Sequence, residues 1–441
     1  MTSALGDDHG ERVTEAQIVP MPPVAATALP WDAEVPDPVA ALRRARDSCG
    51  DTFAVVSGAT TYLFVFSPEG VRSFYGLPEE YASKGVADWL LLSRKPPEEL
   101  FDGRRTMPHE LFDRDHVQSY LGQLDWAIDA QCAELGDEGV VDVFTLTRRL
   151  GHRLGLACWA GATFTDRAEF DRLVVALDEL DGAAAFVHPG AMTAVAARGK
   201  DRERAALAEV EAVLGRVLRR RDADPTAAPE LFDEIVVRWS DESGSTREIG
   251  IARDVVLVHI ASMSNLFAAL GWMLVDLLGR PHLLDRIRAD DRELAERCAL
   301  ESTRLAQRSI MMRSVLAPVE VADEQTVFHV PPGAVVATFL PLTNTSAAAG
   351  LDGYDPDRWH RRHLRNEAAL SARELVTAFG HGKHRCPAQP FSLAAMTRSV
   401  TRLAQRYDLA PEFSDPRPVA GQIGGVARSE TPCPIHYRRR A

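Results

Sequence analysis

At 441 residues, with 46% hydrophobic and 26% charged side chains, the chain has an ordinary globular composition and ample apolar material for a large core. A net charge of -13 argues against a general nucleic-acid or anionic-membrane binder, because both need clustered Lys and Arg. Six cysteines, Cys49, Cys132, Cys158, Cys298, Cys386 and Cys433, show no pairing rhythm, so a disulfide framework is not expected and a reducing cytoplasm fits best.

From the N-terminus, residues 1–36 are rich in Pro, Ala, Thr and acidic side chains and read as a flexible arm. They lack the basic start and apolar run of a signal peptide or anchor, so a cytoplasmic, soluble chain is expected. Asp37 to Cys49 carries Val39, Leu42 and Ala45 on one helical face. Thr52 to Ser57 and Thr60 to Phe66 read as a hairpin around Ser57-Gly58. Ser67 caps a helix through Tyr75, which Gly76-Leu77-Pro78 ends. Glu79 to Gly103 reads as irregular. Helical periodicity then covers Asp115 to Leu135, Phe144 to Gly161, Asp166 to Leu180, Arg202 to Arg221 and Ala228 to Trp239.

Asp254 to Leu278 is the longest apolar helix, and a helix apolar all round belongs in a large core or in lipid. Its length would just span a bilayer, but His259, Ser262, Ser264, Asn265 and Asp276 place it in a protein interior. Asp290 to Arg308 is a further helix, in which Glu301 and Arg304 face each other at i,i+3. Ser309 to Leu316, Thr326 to His329 and Ala334 to Thr338 are short β-prone runs. Ile310, Met311 and Met312 border a pocket or pack in the core. Tyr437 to Arg440 reads as a solvated end.

The chemistry concentrates in Phe379-Gly380-His381-Gly382-Lys383-His384-Arg385-Cys386-Pro387-Ala388, a glycine-hinged loop ending on one cysteine. Its glycines permit turns and close approach that a Cβ forbids. Pro387 is expected to start a helix, Gln389 to Arg406, whose positive end favours thiolate over thiol at Cys386. An idle thiol, or a zinc site using His381, His384 and Cys386, is the other reading. Structural zinc wants four ligands, and no Cys-x2-Cys or His-x3-His pair stands elsewhere; His360 and His363 come nearest.

With Phe379, Gly382, His384, Cys386 and Ala388 in this spacing, the loop resembles the haem-binding loop of the cytochrome P-450 family, with Ala388 where Gly is usual. The resemblance covers roughly Asp37 to Arg440. It implies a mainly α fold, a large helical region with a small β-sheet region, forming one domain over 37–441. It implies haem b, with Cys386 as axial thiolate, the metal ligand that pushes electron density toward O–O cleavage. Phe379, Gly380, Gly382 and Ala388 would shape the cofactor cradle, and His384 would reach a propionate. Arg105 and Phe112 keep the spacing of a family motif in which Arg meets a propionate. Phe101 stands where that motif has His, so Arg104 or His109 is left to supply the second contact. Arg313, nine residues past Arg304, matches a further propionate ligand. Glu301, Arg304 and Arg358, the last from Pro356-Asp357-Arg358-Trp359, match a structural triad that braces the loop, buried charges being costly to leave unpaired.

The central helix resembles the one that crosses the oxygen-binding face, but reads Ala261-Ser262-Met263-Ser264-Asn265 where Ala-Gly-x-acid-Thr is usual. Ala261 would lie on the haem. Ser262, Ser264 and Asn265 are the catalytic candidates with Cys386: the two hydroxyls can relay a proton through water, whereas Asn265 cannot act as an acid. The expected reaction is therefore oxidation of a small organic molecule with O2 and electrons from NAD(P)H through a ferredoxin and its reductase, by a soluble, bacterial-type monomer. His381, Lys383 and Arg385 are candidates for a basic docking patch toward an acidic carrier. Because Ser264-Asn265 replaces the acid and alcohol, a haem-thiolate isomerase, dehydratase or peroxygenase independent of external electrons is the alternative. A non-enzymatic haem sensor would be expected to carry an output domain, and no composition shift marks one. Alanine-rich and arginine-rich usage is compatible with bacterial secondary metabolism; fold and cofactor do not name the substrate.

Overall fold

The computed structural model describes residues 22–102, 111–112, 117–160, 167–181, 189–223, 231–324 and 326–441. The chain is mainly α, with small sheets at the periphery. In order, α1 is Pro38–Cys49, α2 Pro68–Gly76, α3 Lys84–Leu92, α4 Val117–Leu135, α5 Val143–Trp159, α6 Arg167–Leu180, α7 Pro189–Ala197 and α8 Asp201–Ala223. Then follow α9 Leu231–Arg238, α10 Gly244–Leu278, α11 Pro281–Arg288, α12 Arg292–Ala306, α13 Leu340–Ser346 and α14 Gln389–Arg406. The main core is built by α4, α5, α10, α12 and α14, where Trp159 and Phe391 pack with ring centroids 5.2 Å apart and Tyr120 meets Phe391 edge-on at 5.1 Å.

The expected hairpin is present as β1 (Thr52–Ser57) and β2 (Thr60–Val65), paired from Thr52 with Val65 to Ser57 with Thr60. It extends into a five-stranded sheet, order β1-β2-β8-β5-β3, with β3 at Ala82–Ser83, β5 at Ile310–Val315 and β8 at Val335–Phe339. β6 (Val319–Asp323) and β7 (Thr326–Val330) form a separate hairpin, and β9 (Trp359–His360) pairs with β10 (His363–Leu364). Pro390 stands in the first turn of α14, so Pro387 does not start that helix but lies in the turn before it.

Several sequence expectations give way to packing. Residues 22–36 are not a loose arm: Ala25 donates to the Ala54 carbonyl, and Leu29 and Trp31 are buried; residues 1–21 lie outside the described residues. Of the stretch Glu79 to Gly103, the described residues 79–102 are not irregular, because Ser83 caps α3 by accepting from the Val86 N–H at 3.1 Å; Gly103 lies outside the described residues. The central helix α10 begins at Gly244, ten residues before the apolar run. Gly250, inside that added stretch, is where the Trp239 ring lies against the helix, and a Cβ there would clash with the ring. The last residues are not a solvated tail: β12 (Pro434–Arg439) is the middle strand between β11 (Tyr407–Pro411) and β4 (Glu138–Asp142). Ile435 is fully buried, and Tyr437 donates to the Leu135 carbonyl at 2.8 Å. The run of three consecutive arginines, Arg438 to Arg440, had masked the strand.

Among the described residues, α10 is the one helix long and apolar enough to span a membrane, and most of its apolar window is buried inside the protein.

Candidate functional site

The Cys386 loop is fixed by its own backbone. The Cys386 N–H donates to the Phe379 carbonyl at 2.7 Å, closing a turn through the short 3-10 helix Gly382–His384. Gly380 sits at φ +76°, and a Cβ there would meet the His384 carbonyl oxygen at 2.4 Å. Outside the loop, Gln307 donates to the Ala378 carbonyl at 2.8 Å, and the Asn344 amide bonds both the N–H and the C=O of Thr377. Burial pushes the Cys386 thiol up, against the Ala388 N–H and the positive charges of Lys84 and Arg385. The expected thiolate is therefore not secured by the helix end alone; a bound cation is what reverses that balance.

Beside the loop stands a buried pair of basic groups. Arg313, on β5, donates to the carbonyls of Ala82 and Phe74, and its Nη1 lies 2.9 Å from His384 Nε2. Its carboxylate partner is Glu79, 3.2 Å away and half exposed. Burial and the Arg313 charge lower the His384 pKa to about 4. The imidazole is therefore neutral, and the buried Arg313 guanidinium, whose carboxylate partner Glu79 is half exposed, has positive charge that a second anionic group can neutralise. That fits a haem propionate, so these residues meet the cofactor's needs. Arg104, Arg105 and His109 lie outside the described residues. Phe112 is buried against Trp159 and Phe391.

On α10 one stripe breaks the burial. Ala261 and Asn265 are exposed, and Ile260, Ser262 and Ser264 half-buried, in a helix whose flanking turns are buried. Residues four apart share a helix face, so Ala261 and Asn265 form an exposed stripe on an otherwise buried helix, which a cofactor-facing stretch would require. Ser262 and Ser264, the catalytic candidates, are half-buried on or beside this face. The Asn265 Oδ1 accepts from the Val426 N–H at 3.0 Å, so the amide oxygen is held by the loop 422–428. Ile310 and Met311 are half-buried at the end of β5, whereas Met312 is in the core.

His259 was legible in the sequence as an interior residue, but its partners were not. His152 on α5 bonds His259 through Nδ1 and Nε2 at 2.9 Å, the rings 9° from coplanar. The other nitrogen of His152 meets Asp178 of α6 at 2.7 Å, and Arg148 also bonds Asp178. His259 Nδ1 is buried without a partner. Burial, and then the charge of a protonated His152, hold the His259 pKa well below the usual histidine range. The unfolded chain thus takes up a proton below pH about 6.5 that the folded protein refuses, so stability falls as pH drops from there. His259→Gln is expected to flatten the pH 7.5 to 5 change in melting temperature, by up to about 1.4 kcal/mol per pH unit at most; an unchanged slope would place the acid sensitivity elsewhere.

Glu301 accepts from Arg304 at 2.7 and 2.9 Å, from Arg358 at 2.8 Å and from Trp359 Nε1 at 2.9 Å, and Glu301 and Arg304 are fully buried. Arg304 also donates to the Asn344 carbonyl. Because Asn344 holds Thr377, the triad is joined through one side chain to the approach of the cysteine loop. On the outer side of that loop opens a cleft of about 780 Å³, with Arg72, Tyr75, Arg362, Arg373, His381 and Arg385 in its lining. Lys383 and Arg385 are exposed, whereas His381 turns inward to the Val376 carbonyl at 3.1 Å. Among the described residues no three His, Cys, Asp or Glu side chains converge as a zinc site requires.

No family model matches the chain. It is similar to the cytochrome P-450 monooxygenase pyvB of Aspergillus violaceofuscus, 23% identical over 396 residues, covering 85% of this chain and 79% of that protein. It is similar also to the cytochrome P-450 monooxygenase pynD of Aspergillus niger, 23% identical over 399 residues, 84% of this chain and 81% of that one. A 24-hydroxycholesterol 7-alpha-hydroxylase of Homo sapiens is 27% identical over 210 residues, 42% of this chain, and the match spans under half of that enzyme, 43%.

Proposed function

Since the chain belongs to the cytochrome P-450 family, with haem iron as its cofactor, we propose that it is a soluble haem-thiolate monooxygenase that hydroxylates or otherwise oxidatively tailors a small organic molecule in secondary metabolism. The observation that carries this reading is the clamped Cys386 loop with the buried Arg313–His384 pair at its side. When bound, haem would supply activation of dioxygen, with the Cys386 thiolate favouring O–O cleavage. The chain's own residues do the rest. Cys386 offers the sulfur; Arg313, with Arg105, would neutralise the propionates and His384 would hydrogen-bond one of them; Phe379, Gly380, Gly382, Ala388 and Ala261 would leave room for a flat ring. The Ser262 and Ser264 hydroxyls hold and pass a proton on the open face of α10, each being both donor and acceptor.

Electrons would come from NAD(P)H through a ferredoxin and its reductase, docked at the arginine-lined cleft on the thiolate side. Reconstitution tests this: product is expected only with dioxygen, NAD(P)H, reductase and ferredoxin together. Turnover with no reductant would move the protein to the isomerase or dehydratase alternative, and turnover with peroxide alone to a peroxygenase.

A further inference from the structure

We propose that Asn265 is a substrate-recognition residue: its amide nitrogen, oriented by the loop 422–428, donates a hydrogen bond to an acceptor oxygen of the substrate, which is therefore a molecule bearing a carbonyl, ether or hydroxyl oxygen. This deepens the monooxygenase reading and rests on it.

The orientation of the amide follows from its one bonded neighbour. A backbone N–H can only donate, so the atom that faces Val426 N at 3.0 Å must be the amide oxygen. The loop crowds that same oxygen: a Cβ on Gly425, at φ +63°, would stand 2.1 Å from Oδ1 but 3.7 Å from Nδ2. The nitrogen is thus turned away from the loop, on a residue whose side chain borders the open stripe of α10.

The loop is a firm reference for this amide. Trp272 Nε1 donates to the Ala427 carbonyl at 2.7 Å, the Arg308 N–H to the Gly425 carbonyl at 2.7 Å, and Gln422 to the Val426 carbonyl at 3.1 Å. Rotating Asn265 to present its oxygen instead would set N–H against N–H at Val426. A single donor of fixed direction among apolar groups is how a pocket sets the orientation of what it binds. It also discriminates, because an analogue without the oxygen leaves the donor unpaired.

The test uses haem-loaded protein and matched pairs of probes, 2-adamantanone with adamantane and 5α-androstan-17-one with 5α-androstane, read by the haem absorption change on binding. In the wild type at least one ketone is expected to bind about tenfold tighter than its hydrocarbon. Asn265→Asp keeps an acceptor for Val426 and removes the donor. It should bring the ratio to about one, while amide exchange at residues 424–427 stays as slow as in wild type. Asn265→Leu should lose both the ratio and the slow exchange. A wild type that prefers no ketone in the panel, or an Asp variant that keeps the preference, overturns the inference. Binding of 4-phenylimidazole to the iron is the control: a normal shift in every variant assigns any failure to Asn265, and its absence in the wild type removes the haem-thiolate reading with this inference.

Discussion

Replacing Glu301 by alanine is expected to cost about 3–5 kcal/mol of folding free energy, enough to leave much of the protein unfolded or without cofactor. The reason is accounting of charge. Arg304 has no exposed surface, and Glu301 is its carboxylate partner, shared with Arg358 and Trp359. Burial pushes the Glu301 carboxyl up, but the Arg304 bonds and charge, with the Asp355 N–H and Arg358, outweigh it and hold it below the usual range. Its contribution is therefore full above pH about 4.5 and lost as pH falls through the folded value. Denaturant unfolding of the alanine variant checks the size. A loss under about 1 kcal/mol would mean that the triad is replaceable.

Replacing Cys386 by alanine is expected to remove thiolate ligation altogether while sparing the fold. Its side chain is half-buried, and the loop is held by bonds from its backbone and from Asn344 and Gln307 rather than from the sulfur. Far-ultraviolet circular dichroism should be unchanged, and the thiolate signature of the haem should vanish. A variant that retained that signature would assign the iron to another ligand.

Much of the site was legible in sequence because it is local. Phe379 to Ala388 form one turn closed by their own backbone, and Glu301 and Arg304 meet at i,i+3 on a single helix turn. What could not be read was long-range. Asn344 joining Arg304 to Thr377, His152 meeting His259 and Asp178, and Val426 meeting Asn265 each unite segments that carry no pattern of their own. The fold failed to show through where local composition misled: the turn residues ahead of α3, and the consecutive arginines at the end of β12, which hid a strand. Burial had a further effect that residue type alone does not convey. The helix end at Cys386 favours thiolate, but desolvation opposes it, so the sulfur's charge is tied to the metal it receives.

The most direct measurement is the absorption spectrum of the purified, reduced, carbon monoxide-bound protein. The account predicts the red-shifted band of a thiolate-ligated haem in the wild type and its absence in Cys386→Ala. A colourless protein, or a freshly prepared native sample absorbing like a histidine-ligated globin, would contradict it.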